Sequence, residues 1–271
     1  MPAMHIPLTL MAALLAVAPA PPAAPAAPRS PRAAWVVDFA DHQCLASRDY
    51  GAPDAPLFLA LKPSPVGSIV QIILVLKTAH AAAPAEAPVA IRIDGRAPIA
   101  ASLLAFKGKT PDLRQFQINL PNVDFEGFRR ASTVTFQSRE LNESFTLAQM
   151  PELMAQMERC VVDLQHHWNM PADPPLRSRA MANLREIVRP EDYPGIAIDK
   201  EEGGLVRFGL LIDETGRVAD CVVTETSRVP TLDAQACALI KLRARFKPAI
   251  GADGKPARDS INSSVTWRIS G

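Results

Sequence analysis

Leu205-Val-Arg-Phe-Gly-Leu-Leu-Ile-Asp213 alternates apolar side chains, Asp213-Glu-Thr-Gly216 supplies a turn, and Val218-Ala-Asp-Cys-Val-Val-Thr-Glu-Thr226 returns as a second β-rich run. Two such runs around a short polar turn specify an antiparallel hairpin, because a period of two puts one face of each strand on the core. After Pro230 the period changes to about 3.6, with Leu232, Ala236, Leu239 and Ile240 on one helical stripe and Thr231 placed to cap the first turn. The helix is expected to end near Phe246, since Pro248 cannot continue it and Arg243, Arg245 and Lys247 suit the negative end of its dipole. A loop holding Asp253-Gly254 leads to Ser260–Ile269, β-rich again, with Val265, Trp267 and Ile269 on one face. The order is strand, strand, helix, strand: a small antiparallel sheet with packed helices, an α+β C-terminal domain over 179–271.

Upstream the pattern is β. Trp35–Phe39, Leu57–Lys62, Ile69–Leu76 and Val89–Ile93 are strand-like runs, and Asp94-Gly95 is a hairpin turn. Further β segments fall at Arg114–Leu120 and Ser132–Gln137. A helix from Leu147 to Trp168 then presents Leu153, Met157, Cys160, Val161 and Leu164 on one face. Several strands without intervening helices predict a mainly-β domain over 35–168, an antiparallel sandwich or half-barrel closed by that helix. Residues 169–178, rich in Pro and Asp, read as a linker, and Arg177–Val188 as a first short helix of the second domain.

The N-terminus reads as an export signal over residues 1–26. Its apolar run Ile6–Ala18 has signal-peptide length, and as a helix it would reach about 20 Å, short of the ~30 Å hydrocarbon core. Pro and Ala dominate the stretch from Pro19 to Arg32, so residues 27–34 are expected to form an extended tether. Export fits four cysteines, which in an oxidising compartment form bridges; of three pairings, Cys221 on the hairpin with Cys237 on the helix stripe would staple the C-terminal core, leaving Cys44 with Cys160.

A formal net charge of +1 gives no case for a nucleic-acid partner. Catalysis finds no support: Gly-x-Ser-x-Gly, Ser-x-x-Lys and His-Glu-x-x-His patterns are absent from the sequence. His42, His166 and His167 read as surface groups. Asp38, Asp41 and Asp49 surround Cys44 without the Gly and terminal Glu of a calcium loop, and no Cys-x-x-Cys or His-x-x-x-His spacing suggests a metal. No cofactor is expected. Lys241, Arg243, Arg245 and Lys247 form a basic string on the expected helix, read as dipole complement and solvated face.

Asp192-Tyr-Pro-Gly-Ile-Ala197, Gly203-Gly204 opening a strand, Asp213-Glu-Thr-Gly-Arg-Val218, Leu232-Asp233, Arg245-Phe-Lys-Pro-Ala249 and Val265-Thr-Trp-Arg-Ile269 follow one another at spacings that resemble the C-terminal domain of the TonB family. The resemblance implies a periplasmic protein whose last strand pairs with a short extended segment of an outer-membrane, TonB-dependent transporter, in energised uptake of iron chelates or similar nutrients. As the last strand of a small sheet, Asn262–Ile269 is expected to be an edge, with unpaired N–H and C=O groups open to strand addition. Asn262, Ser264, Val265, Thr266, Trp267, Arg268 and Ile269 are the partner-binding residues on this reading, with the Val265 N–H among the outward donors. Inner-membrane motor proteins and peptidoglycan are the further partners it allows. The alternative is an unanchored envelope-interaction module without energy transduction, since energy-transducing TonB proteins have a spanning N-terminal helix and a long Pro-rich spacer where this chain has a short apolar run and a folded β segment.

Overall fold

Nine antiparallel strands make up the N-terminal part of the chain in the computed structural model, which describes residues 27–78, 85–108, 110–170 and 175–269. The expected signal segment, residues 1–26, lies outside the described residues, as do 171–174 of the expected linker. The strands are β1 (Val36–Ala40), β2 (Gln43–Asp49), β3 (Leu57–Pro63), β4 (Ile69–Lys77), β5 (Ala85–Ile93), β6 (Ile99–Lys107), β7 (Leu113–Pro121), β8 (Thr133–Gln137) and β9 (Asn142–Thr146), with the one-turn helix α1 (Asn122–Phe125) after β7. They pair in the order β1-β2-β3-β4-β7-β6-β5-β8-β9. Asp94 and Gly95 turn β5 into β6 with φ of 48° and 69°, the positive values that a tight hairpin requires.

The sheet curls until its ends meet. The Tyr50 ring, just past β2, lies edge-on to Phe145 of β9 at 4.8 Å, and its hydroxyl donates to the Thr146 carbonyl at 3.0 Å. One apolar core, including Leu59, Ile72, Ile91, Phe116 and Phe136, fills the concavity. Helix α2 (Met150–His167) covers it with Met150, Leu153 and Met157, and Cys160 bonds Cys44 of β2. This is a half-barrel with a helical cover. Within the extended tether expected over 27–34, Arg29 exchanges backbone hydrogen bonds with Ser144 and Thr146, and the Arg32 N–H donates to the Asp49 carbonyl. Curling leaves β9 and the end of β2 with edge groups that need partners, and this segment supplies them.

The C-terminal part comprises α3 (Gly195–Asp199), β10 (Gly204–Ile212), β11 (Val218–Glu225), α4 (Pro230–Arg243), the two-residue pair β12 (Ala249–Ile250) and β13 (Pro256–Ala257), and β14 (Asp259–Trp267). The sheet order is β11-β10-β14, all antiparallel. Val206, Phe208 and Leu210 of β10 bury one face against Leu232, Ala236 and Ile240 of α4, as the hydrophobic stripe predicts. Cys221 and Cys237 are bonded across this layer. At the hairpin turn Gly216 has φ +79°, and a Cβ there would lie 1.9 Å from the Phe246 carbonyl oxygen, so only glycine fits.

Three local expectations change. Thr231 does not cap α4: Val229 is the N-cap residue, Pro230 opens the helix, and the buried Asp233 instead reaches back to accept from the Ser227 N–H at 2.9 Å, the Ser227 hydroxyl at 2.7 Å and the Thr226 hydroxyl. The helix ends at Arg243 rather than near Phe246, because the Phe246 N–H donates to the Gly216 carbonyl and its ring is buried. Arg177–Val188 is not a helix. Ser178 and Met181 bridge to Ile250 and Lys247, and only Leu184–Glu186 makes a 3₁₀ turn.

The two sheets are seated on each other. Leu211 is buried with Val66, Leu164, Trp168 and the Cys44–Cys160 bridge, on the face of β10 away from α4. Gly209 of the same face lies against Val66, where an added Cβ would meet Cγ1 at 2.3 Å. Lys62 of β3 donates to Asp220 of β11 at 2.9 Å, with side chains only 13% and 8% exposed.

Candidate strand-pairing edge

Strand β14 pairs with β10 along its whole length, from Gly204 opposite Trp267 to Ile212 opposite Asp259, without a break in register. Among the described residues no strand pairs with its other side. The direction of its peptide groups follows from Ser260. That N–H is held by the Asp259 carboxylate at 2.7 Å and its carbonyl accepts from Arg179, so both face away from β10. Peptide groups alternate along an antiparallel strand, hence Asn262, Ser264 and Thr266 also face outward, whereas Ile261, Ser263 and Val265 face β10. Val265 therefore does not supply the outward donor expected of it.

Side chains alternate as well. Asn262, Ser264 and Thr266 are exposed, Ile261 and Val265 are half-buried toward the core, and Trp267 is buried. Trp267 packs edge-on against Tyr193 at 5.2 Å, and its indole N–H has no hydrogen-bond partner among the described residues. Of the remaining expected partner-binding residues, Arg268 and Ile269 lie past the end of the strand; Ile269 is exposed and does not continue the Val265–Trp267 face. The site that the structure brings together is thus Asn262 to Thr266.

A groove of about 620 Å³ runs beside this edge, with Ser263–Thr266 on one side and Ala182, Asn183, Leu184 and Val188 on the other. The second wall escaped sequence reading because 177–188 read as a helix; its real conformation depends on pairing with Ile250 and Lys247, remote in sequence. The wall is fixed at both ends. Asp259, fully buried, accepts from Arg179 Nε at 2.9 Å and the Ala180 N–H at 2.8 Å. Arg243 forks onto Asp192 at 2.6 and 2.8 Å and also donates to the Ile187 carbonyl. That guanidinium, with the Arg189 N–H, holds the Asp192 carboxyl below the usual carboxylate range. At the hairpin turn Asp213 is also held low: burial opposes its ionisation, but the Thr215 hydroxyl and the Thr215 and Arg217 N–H groups outweigh it.

The other sequence candidates do not converge on a site. Asp49 accepts from the Gly51 N–H, the Asp41 carbonyl accepts from the Trp168 indole, and His167 Nδ1 pairs with Arg258 at 2.8 Å. The basic string is dispersed: Arg243 is paired as described, Lys241 lies 3.7 Å from Asp220, and Arg245 bonds the Leu242 and Ala244 carbonyls beyond the helix end. Among the described residues no group of three or more His, Cys, Asp or Glu is arranged to hold a metal ion, and no helix is long and apolar enough to cross a membrane.

Residues 189–269 match the family described as Gram-negative bacterial TonB protein C-terminal. The match takes in β10, β11, α4, β14 and the Asp192 end of the groove wall, and leaves the nine-stranded sheet outside it. No curated protein matches the chain.

Proposed function

We propose, from the TonB C-terminal match over residues 189–269, that this protein captures an extended peptide by strand addition along Asn262–Thr266. The open outer margin of β14 carries the reading: three successive outward residues offer N–H and C=O groups, beside a groove that an added strand would occupy. Main-chain hydrogen bonds supply affinity, and alternate side chains of the peptide, meeting Leu184 and Val188, supply selectivity. The partner is a segment of an outer-membrane, TonB-dependent transporter, the location is the periplasm, and the chain divides into an N-terminal β domain and the TonB-like domain. The work is recognition rather than catalysis.

A second reading, an envelope-interaction module that transmits no force, is favoured by one observation. The C-terminal sheet is seated on a folded N-terminal sheet through Leu211 and the Lys62–Asp220 pair, rather than carried free at the end of a spacer. Both readings share the same edge. Ser264→Pro removes an outward donor, whereas Val265→Pro removes a ladder bond to β10. Titration of transporter-derived peptides should show affinity lost in Ser264→Pro at a nearly unchanged melting temperature, and lost together with stability in Val265→Pro. Undiminished peptide affinity in Ser264→Pro would sink strand addition.

A further inference from the structure

A three-stranded sheet has two margins, and an unpaired margin accepts any extended chain, including another copy of itself. Among the described residues neither margin pairs with a further strand, and the β11 margin lies against the N-terminal sheet. The N-terminal part of the chain meets β11 at three residues. Lys62 Nζ donates to the Asp220 carboxylate at 2.9 Å, Asn119 Nδ2 of β7 donates to the Val223 carbonyl at 3.3 Å, and Gly67 sits where an added Cβ would touch Thr224 at 3.3 Å. The Asn119 amide is oriented for this, since its oxygen accepts from Gln71 at 3.3 Å and Gln117 at 3.1 Å, leaving its nitrogen aimed at β11. The Cys221 N–H, which faces away from β10, is satisfied by Asp220 Oδ1 at 2.9 Å. Asp220 therefore serves both sides of the margin: it closes a donor of its own strand and anchors a lysine of the other sheet.

We propose that the nine-stranded N-terminal sheet acts as an edge cover, occupying the β11 margin so that the C-terminal sheet offers foreign strands β14 alone. Cover and receptor are one chain, so the blocking contact is present at any protein concentration. This role does not rest on the strand-addition reading, because it concerns the opposite margin. It gives a function to the nine-stranded sheet, which lies outside the family match.

The test is the full chain carrying Lys62→Ala and Asn119→Asp, compared with the unmodified protein by hydrogen–deuterium exchange and by sedimentation velocity over a range of concentrations. Amides of 221–225 should exchange at least about tenfold faster while those of β14 keep their rates, and a dimer should appear with rising concentration. Adding Val223→Pro should return the monomer. Unchanged exchange over 221–225 overturns the inference, and so does a dimer that persists with Val223→Pro, since that association would use another surface. Should the double variant fail to fold, Asn119→Asp alone keeps the side-chain shape, sets an oxygen against the Val223 carbonyl, and is read by the same exchange.

Discussion

Arg243 and Asp192 hold the far end of the groove wall with a bidentate pair, and the pair makes the wall sensitive to acid. Asp192 ionises more readily in the folded chain than in the unfolded one, chiefly through the Arg243 guanidinium. Its contribution to stability is therefore complete above the unfolded carboxylate value, near 3.9, and is lost as pH falls through the lower folded value. Arg243→Met should lower the urea midpoint most at pH 7, and the gap from the unmodified protein should narrow only as pH falls below about 3.9 and through the lower value that Asp192 has in the folded chain. A gap of constant size from neutral to acid pH would mean that Arg243 acts through packing and its bond to Ile187. Neither role was legible in the sequence. Arg243 read as one of four like charges on a helix, and a carboxylate far upstream in the chain decides what it does. Asp233 is a similar case: a residue four positions into a helix does not announce that it closes the preceding loop, whereas Thr231 matched the usual cap pattern and is bypassed because Pro230 already opens the helix.

Elements with strong internal periodicity were read correctly, and those whose inward residues are small or polar were not. The β10–β11 hairpin and α4 stand within a few residues of their expected bounds because apolar side chains recur at the positions that face the core. Strand β2, Gln43–Asp49, buries Cys44, Ala46 and Arg48; strand β6 opens on Ile-Ala-Ala-Ser and buries Leu103, Leu104 and Ala105 in a row; strand β9 is Asn-Glu-Ser-Phe-Thr. None shows an apolar alternation, and each is held in the sheet by its neighbours' pairing, which is tertiary information. Both disulfides join elements as the sequence led us to expect, and they differ in the loop each closes: 16 residues between Cys221 and Cys237, and 116 between Cys44 and Cys160. In the chain-entropy account, serine replacement of the short bridge should cost about 3 kcal/mol and of the long one about 5 kcal/mol. Chemical unfolding of the two paired-serine variants checks the order. Equal losses would place the long bridge's effect in local packing of β2 on α2.

At the scale of the molecule the decisive feature is the junction between the sheets, illegible in the sequence because its parts come from Cys44, Val66, Trp168 and Leu211. Folded units on one chain are usually joined by polar, loosely packed interfaces and move independently. Here the junction is a buried apolar cluster: the Trp168 indole donates to the Asp41 carbonyl at 2.7 Å, and Arg258 of the C-terminal part lies over the Trp168 ring at 5.4 Å. Such a seat makes the stability of each sheet depend on the other, so the unmodified protein should unfold in one calorimetric transition, with calorimetric and van't Hoff enthalpies in agreement. Leu211→Ala empties the centre of the seat and should cost about 2–5 kcal/mol. Because that loss falls on the contact between the sheets rather than inside either, it should appear as a split into two transitions, the C-terminal sheet melting first with its smaller core. Two resolved transitions in the unmodified protein would mean that the seat does not couple the sheets, and with it would go the physical basis for a permanently covered β11.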